Sequence, residues 1–431
     1  MTNIDIAEYA LESLTKAGAE KAACAVSCGR KDEFNIEANE FSLLRSVFSE
    51  SLSLKAICGG KKGVAVLNKL DRDSVDEAVK SCIALAESAQ PDEAEDVAEM
   101  IENKDFDQTI GGADMDALFA RSKDFMEQVR DEYPKILIEG MTAEFDSGES
   151  VYVNSKGVLF SDKSELYHAG AMFSAKDGDI STSFNGYSAA LDSLDQPFIE
   201  MGMLRVLLDE SVKSLKARSI EDKFVGKIIV TPACEDMIWD TIIGCFLSDR
   251  SLIEETSLWK DALGTMVADP KLTFRAVPLH KKIIAGERFT GDGYESFDTD
   301  IISEGVLKSF ALSLYGSNKT GKPRALNSSF GNIEVVQGDT PLEQIIKGVD
   351  RGILLNRFSG ASPGPGGDVS GVAKNSFLIE NGAVTDALTE TMVSFNILDI
   401  IKNITAISTE QICSGMSILP WCCFDGVTIS G

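Results

Sequence analysis

From Pro134 to about residue 187 the chain keeps a period of two, interrupted only at Asn154-Ser155-Lys156-Gly157 and at Lys176-Asp177-Gly178-Asp179. Apolar residues two apart line one face of a strand, and breaks this short, built of turn-forming residues, suit antiparallel hairpins. The segments around this run change period irregularly. Ile4, Ala7, Leu11 and Leu14 stand at helical spacing ahead of Gly18, and strand-like stretches follow near 21–29, 33–38, 51–58 and 63–67, the last two joined through Gly59 to Gly63. Ser74-Val75-Asp76-Glu77 reads as a capping box for a helix with Val75, Ala78, Val79, Cys82 and Leu85 on its buried face. Strands and helices without regular strand-helix-strand alternation define an α+β fold with mixed, largely antiparallel sheets.

Further helices are expected at about 114–132 and 196–217. The second half opens with Gly226-Lys227-Ile228-Ile229-Val230, a strand stopped by Pro232, followed by a mostly apolar helix through Phe246. Strands near 271–278 and 305–314, a helix near 341–351 and a hairpin turning on Asn381-Gly382 come next, and a last helix and strand end the chain. With 431 residues, a division into 1–220 and 221–431 is expected, and the acidic stretch 91–107 reads as a solvated connection. Ile418-Leu419-Pro420-Trp421-Cys422-Cys423-Phe424 reads either as an association surface or as a core strand.

Charge removes some functions. The formal net charge is −27, which repels phosphate backbones and anionic lipid, so neither nucleic acid nor membrane is an expected partner. No run nears the roughly 18 apolar residues of a membrane span, and the start lacks a basic-then-apolar leader, so a cytoplasmic location is expected. Nine cysteines without a Cys-x-x-Cys pair suit a reducing compartment. Cys24 and Cys28 on one strand would stand about 13 Å apart, too far for a disulfide, and the adjacent Cys422 and Cys423 alternate faces of a strand.

Gly316-Ser317-Asn318-Lys319-Thr320-Gly321-Lys322 fits seven positions of a phosphate-binding loop, but Pro323 supplies no hydroxyl for Mg²⁺ and cannot continue into a helix as that loop requires. A basic, flexible loop is the simpler expectation. His168 and His280 are the only histidines, too few for a histidine-based zinc site.

Several ordered segments carry a family resemblance. They are Ser257-Leu258-Trp259-Lys260, Phe297-Asp298, Glu304-Gly305-Val306-Leu307-Lys308, Gly367-Asp368-Val369-Ser370-Gly371, Ile379-Glu380-Asn381-Gly382, Asn396 to Ile404, and Gly426-Val427-Thr428-Ile429-Ser430-Gly431. In this order they resemble the TldD/PmbA family, sometimes labelled modulators of DNA gyrase, across essentially the whole chain. In the family's TldD branch a His-Glu-x-x-x-His helix with a late Cys binds zinc, the Glu acting as general base for peptide hydrolysis. The resemblance puts Asp240, Thr241 and Cys245 at those three helix positions, so no catalytic residue and no metal ligand is carried over, and Cys413 is not assigned the late ligand's role.

The chain is therefore similar to the PmbA branch, also called TldE. The resemblance implies a non-catalytic partner of a TldD-type subunit, with zinc held only by that partner, and a chamber that admits unfolded peptide as an added strand. It implies peptide contact at Gly367, Asp368 and Ser370, against which stands a plain surface turn. Homodimer and heterodimer both stay open. Two rival readings are a metallopeptidase using Asp240 and Cys245, and a non-proteolytic regulator of DNA gyrase or of toxin-antitoxin proteins.

Overall fold

A computed structural model describes residues 1–328, 330–361 and 363–431. The fold is α+β, built on two sheets. The first has its strands in the order Lys61–Leu67, Glu40–Cys58, Lys21–Glu37, Ile136–Asn154, Leu159–Asp177 and Lys104–Gln108, with Asn185–Leu191 also on the fifth. The long neighbours pair antiparallel, and only Lys104–Gln108 runs parallel. Gly59 and Gly60, at φ 57° and 72°, make the tight turn that fixes the register of the Glu40–Cys58 and Lys61–Leu67 hairpin.

Helices Asn3–Lys16 and Arg72–Ser88 bury Ile6, Ala10, Leu14, Val75, Val79 and Cys82 against one part of this sheet. Met115–Glu132 and Leu204–Lys213 cover another, around Phe125, Phe145, Phe173 and Leu207. Among the described residues the second sheet has thirteen strands. Its central Ile418–Ser430 pairs with Lys223–Val230, Thr391–Asn396 and Ile404–Cys413, so 418–424 is core. Cys422 faces the large cluster around Trp239 and Phe274, while Cys423 faces a separate one around Ile345 and Phe377. No disulfide joins any of the nine cysteines. Among the described residues no helix is long and apolar enough to cross a membrane.

Several expectations are corrected. Segments 21–29 and 33–38 form one strand, Lys21–Glu37, because its charged middle is neutralised in place: Arg30 pairs with Asp32 at 2.8 Å and Lys31 with Glu144 at 2.8 Å. The Glu40–Cys58 strand begins well before residue 51, and its residues 40–50 are exposed on both faces, so no alternation marks it. Asp71, not Ser74, caps the second helix, its carboxylate accepting from Ser74 N at 3.0 Å. Helix 196–217 is cut to Leu204–Lys213 by the turn at Gly202, φ 51°.

The acidic stretch is packed rather than solvated. Ala94, Val97 and Ala98 are buried, and buried Glu95 is neutralised by Lys55 at 2.9 Å and by Lys62. Nor do residues 316–320 form a loop, since they lie in helix Leu314–Thr320. A Cβ on Gly316 would lie 1.9 Å from Asp249 Oδ1, so this glycine serves close packing. Ion pairs and rings tie the two sheets together: Lys104 to Glu295 at 2.6 Å, Lys319 to Asp92 at 2.8 Å, and Phe289 against Phe160 at 5.5 Å between centroids.

Candidate functional site

Pro232 ends the Lys223–Val230 strand, and the chain turns into helix Asp236–Ile242, which widens into a π-helical turn over Ile243–Leu247. Ile238, Trp239, Ile242 and Phe246 recur at helical spacing and are fully buried. Trp239 stacks on Phe274 at 4.9 Å and donates its indole N–H to Glu235 Oε2 at 2.9 Å, and Phe246 packs on Trp259 at 5.2 Å. Anchored on that side, the helix turns Asp240, Ile243 and Gly244 to a cavity of about 1190 Å³. π-Helical turns are frequent at functional sites.

The cavity lies between the sheets. Asn35, Thr142, Gly170 and Met172 supply one wall from the long antiparallel strands, while Asp240, Phe330, Arg357 and Leu419 supply the other. Asp240 is exposed in it, and surrounding protein still pushes its carboxyl above the ordinary value by desolvation alone. Thr241 donates its hydroxyl to Met237 O at 2.7 Å. Cys245 points the other way, its Sγ 3.7 Å from Pro363 O, and burial raises its thiol pKa.

The Cys245 contact joins the helix to the Gly- and Pro-rich loop 362–368, whose first residue, Ser362, lies outside the described residues. Gly367, at φ 80°, closes a turn onto Gly364 O at 2.9 Å, and its Cα packs where a Cβ would be 3.3 Å from the Phe246 ring. Asp368 accepts from Asn396 Nδ2 at 2.9 Å, and the Ser370 and Ser394 hydroxyls are 2.8 Å apart. The structure thus brings the loop and the helix together on the side of Cys245, and of the six sequence-nominated residues only Asp240 lines the cavity.

The donors do not fit zinc. Thr241 is bonded to the backbone, Cys245 contacts Pro363 while Asp240 lines the cavity, and His168 and His280 belong elsewhere. His168 Nδ1 stands 3.6 Å from Glu144 on the first sheet, and burial lowers its pKa. His280 Nδ1 accepts from Lys282 N in an exposed loop. Among the described residues no three His, Cys, Asp or Glu side chains are grouped to hold a metal.

Sequence reasoning missed Arg357 and Asn356 on the cavity wall. The only signal is a polar pair between Ile353-Leu354-Leu355 and Phe358, where a buried strand ends and the chain reaches the cavity.

This two-sheet α+β chain has the fold of TldE and TldD-like proteins. TldE from Thermococcus kodakarensis superposes with a TM-score of 0.85 at 19% identity, covering 99% of this chain and 100% of that one. The metalloprotease PmbA homolog of Haemophilus influenzae is 24% identical over 423 residues, 93% of this chain and 90% of the relative. Metalloprotease PmbA of Escherichia coli O157:H7 is 24% identical over 166 residues, 38% of this chain and 37% of that protein. Residues 225–431, just under half of the chain, match the PmbA/TldA metallopeptidase C-terminal domain, so this segment is a PmbA/TldD family domain.

Proposed function

We propose that this chain is a zinc-free, non-catalytic partner of a TldD-type metallopeptidase subunit, and that its cavity receives unfolded peptide. The reading is supported by the helix beside the cavity, where the resemblance would put the metal ligands and the base at positions that here hold Asp240, Thr241 and Cys245. A catalytic zinc needs three protein ligands and an open position. Thr241 cannot take and return a proton near neutral pH as a carboxylate does. In this reading units 1–220 and 221–431 each give one wall, and the loop at Gly367, Asp368 and Ser370 steadies the helix from behind rather than touching peptide directly.

The test combines elemental analysis of protein purified without chelators with cleavage of an unfolded peptide, by the chain alone and mixed with a TldD-type chain that has its His-Glu-x-x-x-His helix. The chain alone is expected to hold no stoichiometric zinc and to cleave nothing. Mixing should give a complex by size-exclusion chromatography with light scattering, and cleavage in that complex. Near one zinc per isolated chain, with cleavage abolished in Asp240→Ala and Cys245→Ala, would overturn the proposal.

A further inference from the structure

Arg357 begins the Arg357–Gly360 strand, just past the buried Arg351–Leu355 strand, and lines the cavity. Its guanidinium lies over the Phe184 ring with Cζ 3.5 Å from the centroid. Nη1 donates to Ser183 Oγ at 3.0 Å and to Phe184 O at 2.7 Å. The group is thus held by one face and one nitrogen. Nε and Nη2 have no hydrogen-bond partner among the described residues, and neither is a buried orphan, so both remain open to a ligand.

Among the described residues this cation also has no counterion. Asp240 and Glu37, the acidic residues of the cavity lining, form no ion pair with it among the described residues, and its cross-strand neighbour is Lys374. Burial lowers the Arg357 pKa, and only the Cys234 thiol opposes that. In a chain with 68 acidic and 41 basic residues, a half-desolvated guanidinium fixed without a carboxylate is costly, and an anion placed there would recover the cost.

We propose that Arg357 anchors a carboxylate of the bound peptide, the Nε and Nη2 pair forming the two-pronged contact that guanidinium makes with a planar carboxylate. The inference rests on the peptide-binding reading of the cavity and adds to it a ligand class: peptides whose carboxylate enters, from the C-terminus or from an acidic side chain. Phe184 and Ser183 are positioning residues, holding the fork toward the opening.

The cavity is built wholly from this chain, so its binding is measured without a partner. Fluorescence polarisation would use a fluorescein-labelled decapeptide of Ala, Ser and Leu in three forms: free C-terminus, amidated C-terminus, and amidated with one Asp near that end. Amidation should weaken binding about tenfold or more, as loss of a charge-assisted contact does. Recovery with Asp assigns the site to any carboxylate, and no recovery restricts it to the terminus. Arg357→Gln, checked for a native melting curve, should bind the free and amidated forms alike, and Arg357→Lys should retain part of the difference. Equal binding of the free and amidated peptides to the wild type overturns the anchor while leaving the peptide cavity standing. No binding of any form overturns both.

Discussion

Glu210 offers a stability measurement whose size follows from the structure. Its carboxylate lies on helix Leu204–Lys213, 9% exposed, and accepts from Asn356 Nδ2 at 2.7 Å, a contact that joins the two halves of the chain. Asn356 Oδ1 is buried without a partner. Desolvation raises the Glu210 pKa from 4.5 to about 7, against the smaller effects of Asn356 and Lys213. A raised carboxyl pKa means that the folded protein holds a proton the unfolded chain releases, so stability is highest below 4.5, falls as pH rises, and has lost the full amount above 7. At ~1.4 kcal/mol per pKa unit, the loss is about 3 kcal/mol. Glu210→Gln removes the titration and keeps an acceptor for Asn356. Urea unfolding of both proteins between pH 4.5 and 8.5 checks this, since subtraction cancels groups common to the two, such as Asp146, raised to about 6 by burial and by Glu144. The variant should gain on the wild type by about 3 kcal/mol across that range. A difference independent of pH would refute the reasoning.

Gly316→Ala should destabilise the chain by about 1–3 kcal/mol, because its Cβ would displace the Asp249 carboxylate that accepts from Ser313 N at 2.9 Å; urea unfolding reads this, and an unchanged midpoint would show the helix has room. In a native thiol titration with Ellman's reagent at pH 8, Cys24, Cys82 and Cys422 should stay unmodified until denaturant is added, since each is buried and its pKa raised by burial, to about 11 for Cys82. Phe274→Ala, which removes the ring stacked on Trp239, should cost about 3–5 kcal/mol by the same unfolding assay.

Periodicity located most elements because most lie half in the core. Helix Met115–Glu132 and the turns at 154–157 and 381–382 carry local chemistry strong enough to read directly, including an Asp114 cap and positive φ at Asn381 and Gly382. Residues 40–50 were illegible as a strand because solvent on both faces leaves no pattern to select. The true cap, Asp71, was overlooked because the Ser74 tetrapeptide fitted a stronger-looking motif, although backbone geometry rewards the residue that precedes the first turn. Asp240 was reached through the resemblance. Arg357 was not, since its role depends on Phe184 and Ser183, more than 170 residues away in the chain, and on the absence of an ion-pairing acid among the described residues, which no local spacing records.

The adjacent thiols at 422 and 423 also set the chain's tolerance of insertions. Strand Ile418–Ser430 serves a different core on each face, so one residue added or lost before Cys422 would invert every side chain beyond it and exchange the contents of two cores at once. Substitutions that keep volume have room here, whereas changes in length have none. Length variation among related chains should therefore gather in loops such as 109–113 and 192–197, with the spacing from Ile418 to Phe424 held fixed.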